Sequence, residues 1–184
     1  MKIIITLFFL LNSFAFGQRA DFFQEDITFR LDGVYLNVEG YYWFSNHSDK
    51  IVNIDIFYPF PYHCGEQIDS IQIYNISYGQ ETKFKKESKY GISFKMHLAA
   101  FDTVLFQIKY KQKLNADSAK YILKSTQSWG KPIKYTEYKL ITPDSLFIKK
   151  FSYPPDKSYE FENVRIYYWK KENFLPIQDM VFYF

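Results

Sequence analysis

Cysteine is nearly absent: Cys64 stands alone in a chain of 184 residues, so no disulfide can close within it. A lone thiol in a small domain behaves as a small hydrophobe, which predicts burial for Cys64. Without staples the fold must be held by its core and its backbone ladders, which a chain of this size can supply. Histidine is scarce as well, limited to His47, His63 and His97. His63 and Cys64 are neighbours, and neighbours on an extended segment point opposite ways, so they do not make a ligand pair. No second Cys or His pair stands at metal-ligand spacing. No glycine-rich phosphate loop occurs, and no nucleophile is spaced with a base as catalysis would need. These absences point away from catalysis, from a metal and from any other cofactor. Gly and Pro number only seven each, and neither charge dominates, with a formal net charge of +3. Such a balance excludes strong attraction to nucleic acid or to anionic lipid. No internal repeat, low-complexity tract or linker divides the chain.

What is abundant is aromatic. Phe, Tyr and Trp make up 22% of the residues, a composition that favours pleated sheet. Period-two alternation recurs from Ile27 almost to the end. Val34, Leu36, Val38, Tyr42 and Phe44 share one face, interrupted by Gly40, and Tyr35, Asn37, Glu39, Tyr41 and Trp43 share the other. Asn46-His47-Ser48-Asp49-Lys50 has turn chemistry, and Val52, Ile54, Ile56 and Tyr58 alternate beyond it, so the two runs predict a hairpin. Pro59 and Pro61 stop the second run, because proline cannot donate to a ladder. Further strands are predicted at residues 68–78, 90–98, 104–111, 120–124, 133–141, 146–151, 161–169 and 180–184. No helical period persists over ten residues. The expected fold is all-β, a single antiparallel β-sandwich of about nine or ten strands.

Residues 1–17 carry the marks of a cleaved export signal. Lys2 precedes the apolar run from Ile3 to Leu11, and small residues Ala15 and Gly17 lie three and one positions before Gln18. The run falls short of the roughly 20 residues that a transmembrane helix needs. The expectation is a signal peptide over 1–17 and one sandwich domain over 18–184, with no transmembrane helix in the mature chain. The protein would then be exported, and periplasmic, surface-bound or secreted. A small exported domain without disulfides fits a bacterial envelope better than an animal extracellular space.

Candidate contact residues follow from loops and faces. Tyr41 and Trp43 share a sheet face and could stack on a flat ligand, as could Tyr167 and Trp169. Pro61 and His63 lie in the loop that follows the second run, and Trp129 and Lys131 flank Gly130 in another. Asp followed by Ser or Thr and then a small or aliphatic residue occurs four times, well above the expectation from composition. These triplets place candidate O-glycosylation at Ser70, Thr103, Ser118 and Ser145, and they equally suit turns that lead into strands. The pattern resembles the acceptor of a general O-glycosylation system in one group of Gram-negative bacteria.

Two longer elements carry a resemblance. Phe44-Ser45-Asn46-His47-Ser48-Asp49-Lys50 with its alternating sequel to Phe57-Tyr58-Pro59-Phe60-Pro61 resembles a pattern in uncharacterised bacterial secreted β domains. Tyr121-Ile122-Leu123 followed by Ser128-Trp129-Gly130-Lys131-Pro132-Ile133 is similar to a second element of them. More distantly the first element resembles the vault and inter-alpha-trypsin β domain, which implies a sandwich engaged in protein contacts and no catalytic residue.

Three functions are open at this point. The first is a non-enzymatic envelope protein that binds or builds through loops and sheet faces, its partner an unidentified protein or glycan. The second is a small outer-membrane β-barrel, suggested by Met180, Phe182 and Phe184 alternating into the C-terminal position. The third is a secreted carbohydrate-binding accessory or hydrolase, for which Glu137, Glu160 and Glu162 are the carboxylates to test.

Overall fold

In a computed structural model, residues 20–61, 67–86 and 90–184 are described. The export signal expected at 1–17, and the pair His63 and Cys64, lie outside them. Among the described residues fourteen strands follow one another: β1 (Ala20–Leu31), β2 (Tyr35–Asn46), β3 (Val52–Pro59), β4 (Gln67–Asn75), β5 (Gln80–Glu81), β6 (Phe84–Lys86) and β7 (Gly91–Leu98) come first. Then come β8 (Thr103–Lys113), β9 (Ser118–Tyr121), β10 (Ile133–Pro143), β11 (Lys150–Phe151), β12 (Lys157–Phe161), β13 (Val164–Phe174) and β14 (Met180–Tyr183). A six-residue 3-10 helix, Lys124–Trp129, links β9 to β10. No helix among the described residues is long and apolar enough to cross a membrane.

The strands form two layers. One is a wide sheet of eight strands in the order β12-β13-β10-β1-β2-β8-β4-β5. The other consists of two separate three-stranded sheets, β3-β7-β6 and β11-β14-β9. Alternation is why they stick: Leu36, Val38, Tyr42 and Phe44 of β2 and Val104, Phe106, Ile108 and Tyr110 of β8 all turn to one face and are buried there. The first small sheet covers that half with Ile92, Phe94, Met96 and Leu98, and the Phe94 and Phe106 rings lie 5.5 Å apart. The second covers the other half, where Phe182 lies 5.3 Å from Phe29 and 6.0 Å from Trp169.

The all-β fold is therefore as the alternation predicts, with three corrections. Strands outnumber the expected nine or ten by β1, β5, β6 and β12; β5 and β6 are two and three residues long and β12 is exposed along its whole length, and none of these three shows a hydrophobic period. The sheet is not wholly antiparallel: β1 and β10 run parallel, with Gln24 opposite Tyr135 and Arg30 opposite Ile141. The sheets are also open, the wide one ending on β12 and β5, which removes the closed barrel as a description of this chain.

A further difference lies at the predicted hairpin. β2 does not pair with β3; it pairs with β1 and β8, while β3 pairs with β7 in the other layer. Asn46 explains the crossing. Its buried amide nitrogen donates to the carbonyls of Lys50 and Ala99, both at 2.7 Å, and its Oδ1 accepts from the Ser48 amide at 3.0 Å and the Ser48 hydroxyl at 2.7 Å. The turn chemistry thus serves a step between layers. Replacing Asn46 by Ala removes the donor to the half-buried Ala99 carbonyl and leaves the Lys50 carbonyl only the Ser48 hydroxyl at 3.2 Å, which should cost about 1–3 kcal/mol. Urea unfolding should show a lowered midpoint with unchanged slope; an unchanged midpoint would mean that Asn46 does not hold the crossing.

Candidate ligand-binding cleft

The two small sheets share no strand pairing, and a cleft of about 650 Å³ opens between them over β1 and β2. One wall is β3. Ile54 and Ile56 face inward like Val52 and Tyr58, yet they remain half-exposed because nothing covers them. The opposite wall is Tyr121, Ile122 and the 3-10 helix, ending in Trp129. Trp129 is seated by Phe44, whose ring centroid is 5.4 Å away, and by Phe22 at 5.9 Å.

The floor is polar and buried. Tyr42 from β2 places its hydroxyl 2.8 Å from that of Tyr58 on β3 and 3.1 Å from that of Tyr121 on β9, so one side chain joins all three sheets. Gly40 makes this possible by size, since a Cβ there would collide with the Tyr42 hydroxyl. Burial raises the pKa of all three phenols well above the usual value, so they stay neutral donors and acceptors.

Glu25 lies beside them, fully buried. Its Oε1 accepts a hydrogen bond from the Tyr138 hydroxyl on β10, and its Oε2 has no partner. Burial pushes the carboxyl up from 4.5 to about 7; the Tyr138 bond opposes that shift and the charge of Asp26 adds to it. A β-bulge at Phe23 sets the local geometry. It shifts register between Phe22 and Gln24, so Phe22 and Glu25, three residues apart, both face the cleft.

The residues expected from sequence are scattered with respect to this cleft. Trp129 forms part of its wall. Tyr41 and Trp43 stand on the opposite face of the wide sheet, their rings 6.4 Å apart, with the Tyr41 hydroxyl held by Gln107 at 2.8 Å. Tyr167 and Trp169 do not form a platform: both are buried under Phe151. Lys131 is turned to the buried Asp21, with its ammonium 3.5 Å from the carboxylate. Pro61 is buried, and His63 is outside the described residues. Ser70, Thr103 and Ser145 are exposed, Ser70 in a strand irregularity at φ +54°, whereas Ser118 is half-buried against β14.

Glu137, Glu160 and Glu162 do not converge. Glu160 is paired with Arg165 at 2.6 Å, Glu137 faces Lys170 at 3.8 Å, and Glu162 occupies a turn at φ +53°. No group of three or more possible metal ligands occurs among the described residues. A wider hollow of about 1020 Å³ between β4–β5 and β6–β7 is lined mainly by polar chains such as Gln80, Glu81, Lys83 and Lys95. It holds no buried carboxyl.

Neither a protein-family model nor a curated protein sequence matches this chain. Solved structures do. A Legionella pneumophila protein described as a "putative nutrient binding protein" superposes with a TM-score of 0.70 at 15% identity, over 89% of this chain and 66% of that one. An M1 zinc metallopeptidase from Deinococcus radiodurans superposes with a TM-score of 0.54 at 10% identity, over 90% of this chain and 42% of the peptidase. The chain thus spans less than two thirds of either protein. At these identities the likeness is one of fold.

The state of Glu25 can be read from stability. The folded chain keeps the Glu25 proton up to about pH 7, while the unfolded chain releases it near 4.5. The native state therefore binds more protons between those values, and the Glu25 contribution to stability is lost as pH rises through the window. Its size is on the order of 3 kcal/mol. Asp156 and Asp179 are shifted downward and act with the opposite sign, so a difference measurement is needed. Glu25→Gln should gain stability relative to wild type as pH rises from 4.5 to 8, in paired urea titrations. Parallel pH profiles would contradict a buried, uncompensated carboxyl.

Proposed function

We propose that this chain is an exported, non-enzymatic binding module of a bacterial envelope that holds a small apolar molecule between its two small sheets. The observation that carries this reading is the uncovered wall of Ile54, Ile56 and Trp129 around a pre-formed space of about 650 Å³, with buried polar groups at its base. Concave, largely apolar sites with a few fixed polar groups are the usual form of small-molecule sites. The fold likeness to a protein described as nutrient-binding is consistent with a binding role, and the pattern of residues 1–17 with export. Loops and the Tyr41–Trp43 face would supply contacts to an envelope protein or glycan. Exposure of Ser70, Thr103 and Ser145 suits modification at those three positions more than at Ser118.

The neutral fluorescent probe N-phenyl-1-naphthylamine tests the cleft. It should bind saturably with one site per chain and accept energy from Trp129. Ile56→Trp, which fills the space from β3, should weaken it by about tenfold or more, equivalent to about 1.4 kcal/mol. Absence of saturable binding, or equal affinity in the variant, would defeat the reading. Protein isolated from its native host should show intact-mass increments in sugar-sized steps that disappear when Ser70, Thr103 and Ser145 are replaced by Ala; unmodified mass would defeat the glycosylation expectation.

A further inference from the structure

Resting on that cleft, we infer that its ligand carries a primary ammonium group on an apolar body, and that Glu25 Oε2 accepts the hydrogen bond from that group. The first reason is the orphaned oxygen. Glu25 lines the cleft, is fully buried, and has a partner for only one of its two oxygens. Leaving a buried acceptor unmet is costly unless something binds there.

Charge decides which group that is. The groups facing Glu25 are Tyr138 from β10, Tyr42 from β2, Tyr58 from β3, Tyr121 from β9 and its own neighbour Asp26. None is a cation. Among the described residues that line the cleft, Glu25 and Asp55 are opposed only by Lys124, where the 3-10 helix begins. With Glu25 ionised, an organic anion would meet net repulsion there. The aromatic faces of Phe22, Tyr42, Phe44 and Trp129 attract a cation instead.

Hydrogen-bond inventory narrows the head group further. Tyr138 already donates to Oε1, so Oε2 is the oxygen left to accept once the carboxyl is ionised. A carboxylate oxygen accepts from an N–H or O–H; among cations a primary ammonium offers such a donor and a quaternary ammonium does not. The apolar walls then require a hydrocarbon or aromatic body next to that head. Burial, with the Asp26 charge adding to it, is what holds the Glu25 proton to about pH 7. On binding, the cation would displace whatever proton remains on Glu25 into solvent.

The test compares 2-phenylethylamine with its neutral counterpart 2-phenylethanol, each displacing N-phenyl-1-naphthylamine at pH 7. The amine should bind about tenfold or more tightly than the alcohol, the range expected for a hydrogen bond to a charged group. Glu25→Gln should bring the two affinities together, with an unchanged near-ultraviolet circular dichroism spectrum showing that the variant is folded. Calorimetry in buffers of different ionisation enthalpy should detect proton release with the amine and none with the alcohol. Equal binding of amine and alcohol, or an amine preference that survives Glu25→Gln, would overturn the ammonium assignment and leave the cleft standing. Failure of the naphthylamine itself to bind would overturn both.

Discussion

One hydroxyl holds the arrangement together. The wide sheet is covered not by a single partner sheet but by two small ones that share no strand, and this leaves a gap above β1 and β2. Tyr42 spans that gap by reaching Tyr58 on one small sheet and Tyr121 on the other. Its position is possible only because residue 40 has no side chain to occupy the same space. The aromatic packing around it, Phe22 with Phe44 and Trp129, keeps the gap from collapsing. A fixed gap with apolar sides and a polar base is what makes a binding role physically reasonable.

Glu25 is the costly part of that base. A buried carboxyl with one satisfied oxygen works against folding near neutral pH, and an apolar residue there would pack with Ile27, Phe29 and Leu31 at no such penalty. Sites that give up stability in this way are commonly those where a ligand supplies the missing interaction. The same logic does not extend to Lys131 or Glu160, whose charges already have partners within the protein.

Much of the fold was legible because alternation is a strong signal over long strands. The inward faces of β2, β7 and β8 follow it residue by residue. Alternation says nothing about strand direction or about which layer a strand joins. Hence the parallel pairing of β1 with β10 and the passage of the chain from β2 to a different sheet were not readable. Trp129 was found because a lone Trp in a Gly-Lys loop is conspicuous. Glu25 continues the inward register of Ile27, Phe29 and Leu31, but a carboxyl carries no hydrophobic signal that would place it on a buried face. The bulge at Phe23 further breaks the period just where the cleft begins. Tyr58 and Tyr121 lie 16 and 79 residues from Tyr42, so only the folded topology assembles the cluster.

Everything in the account turns on the electrostatic isolation of the Glu25 carboxyl at the base of the cleft. Carbon-detected NMR of the side-chain carboxyl, assigned by comparison with Glu25→Gln, measures it directly in the free protein. A titration midpoint near 7 is predicted, moving downward when 2-phenylethylamine saturates the cleft. A midpoint near 4.5, unmoved by the amine, would show a solvated carboxylate and contradict the account.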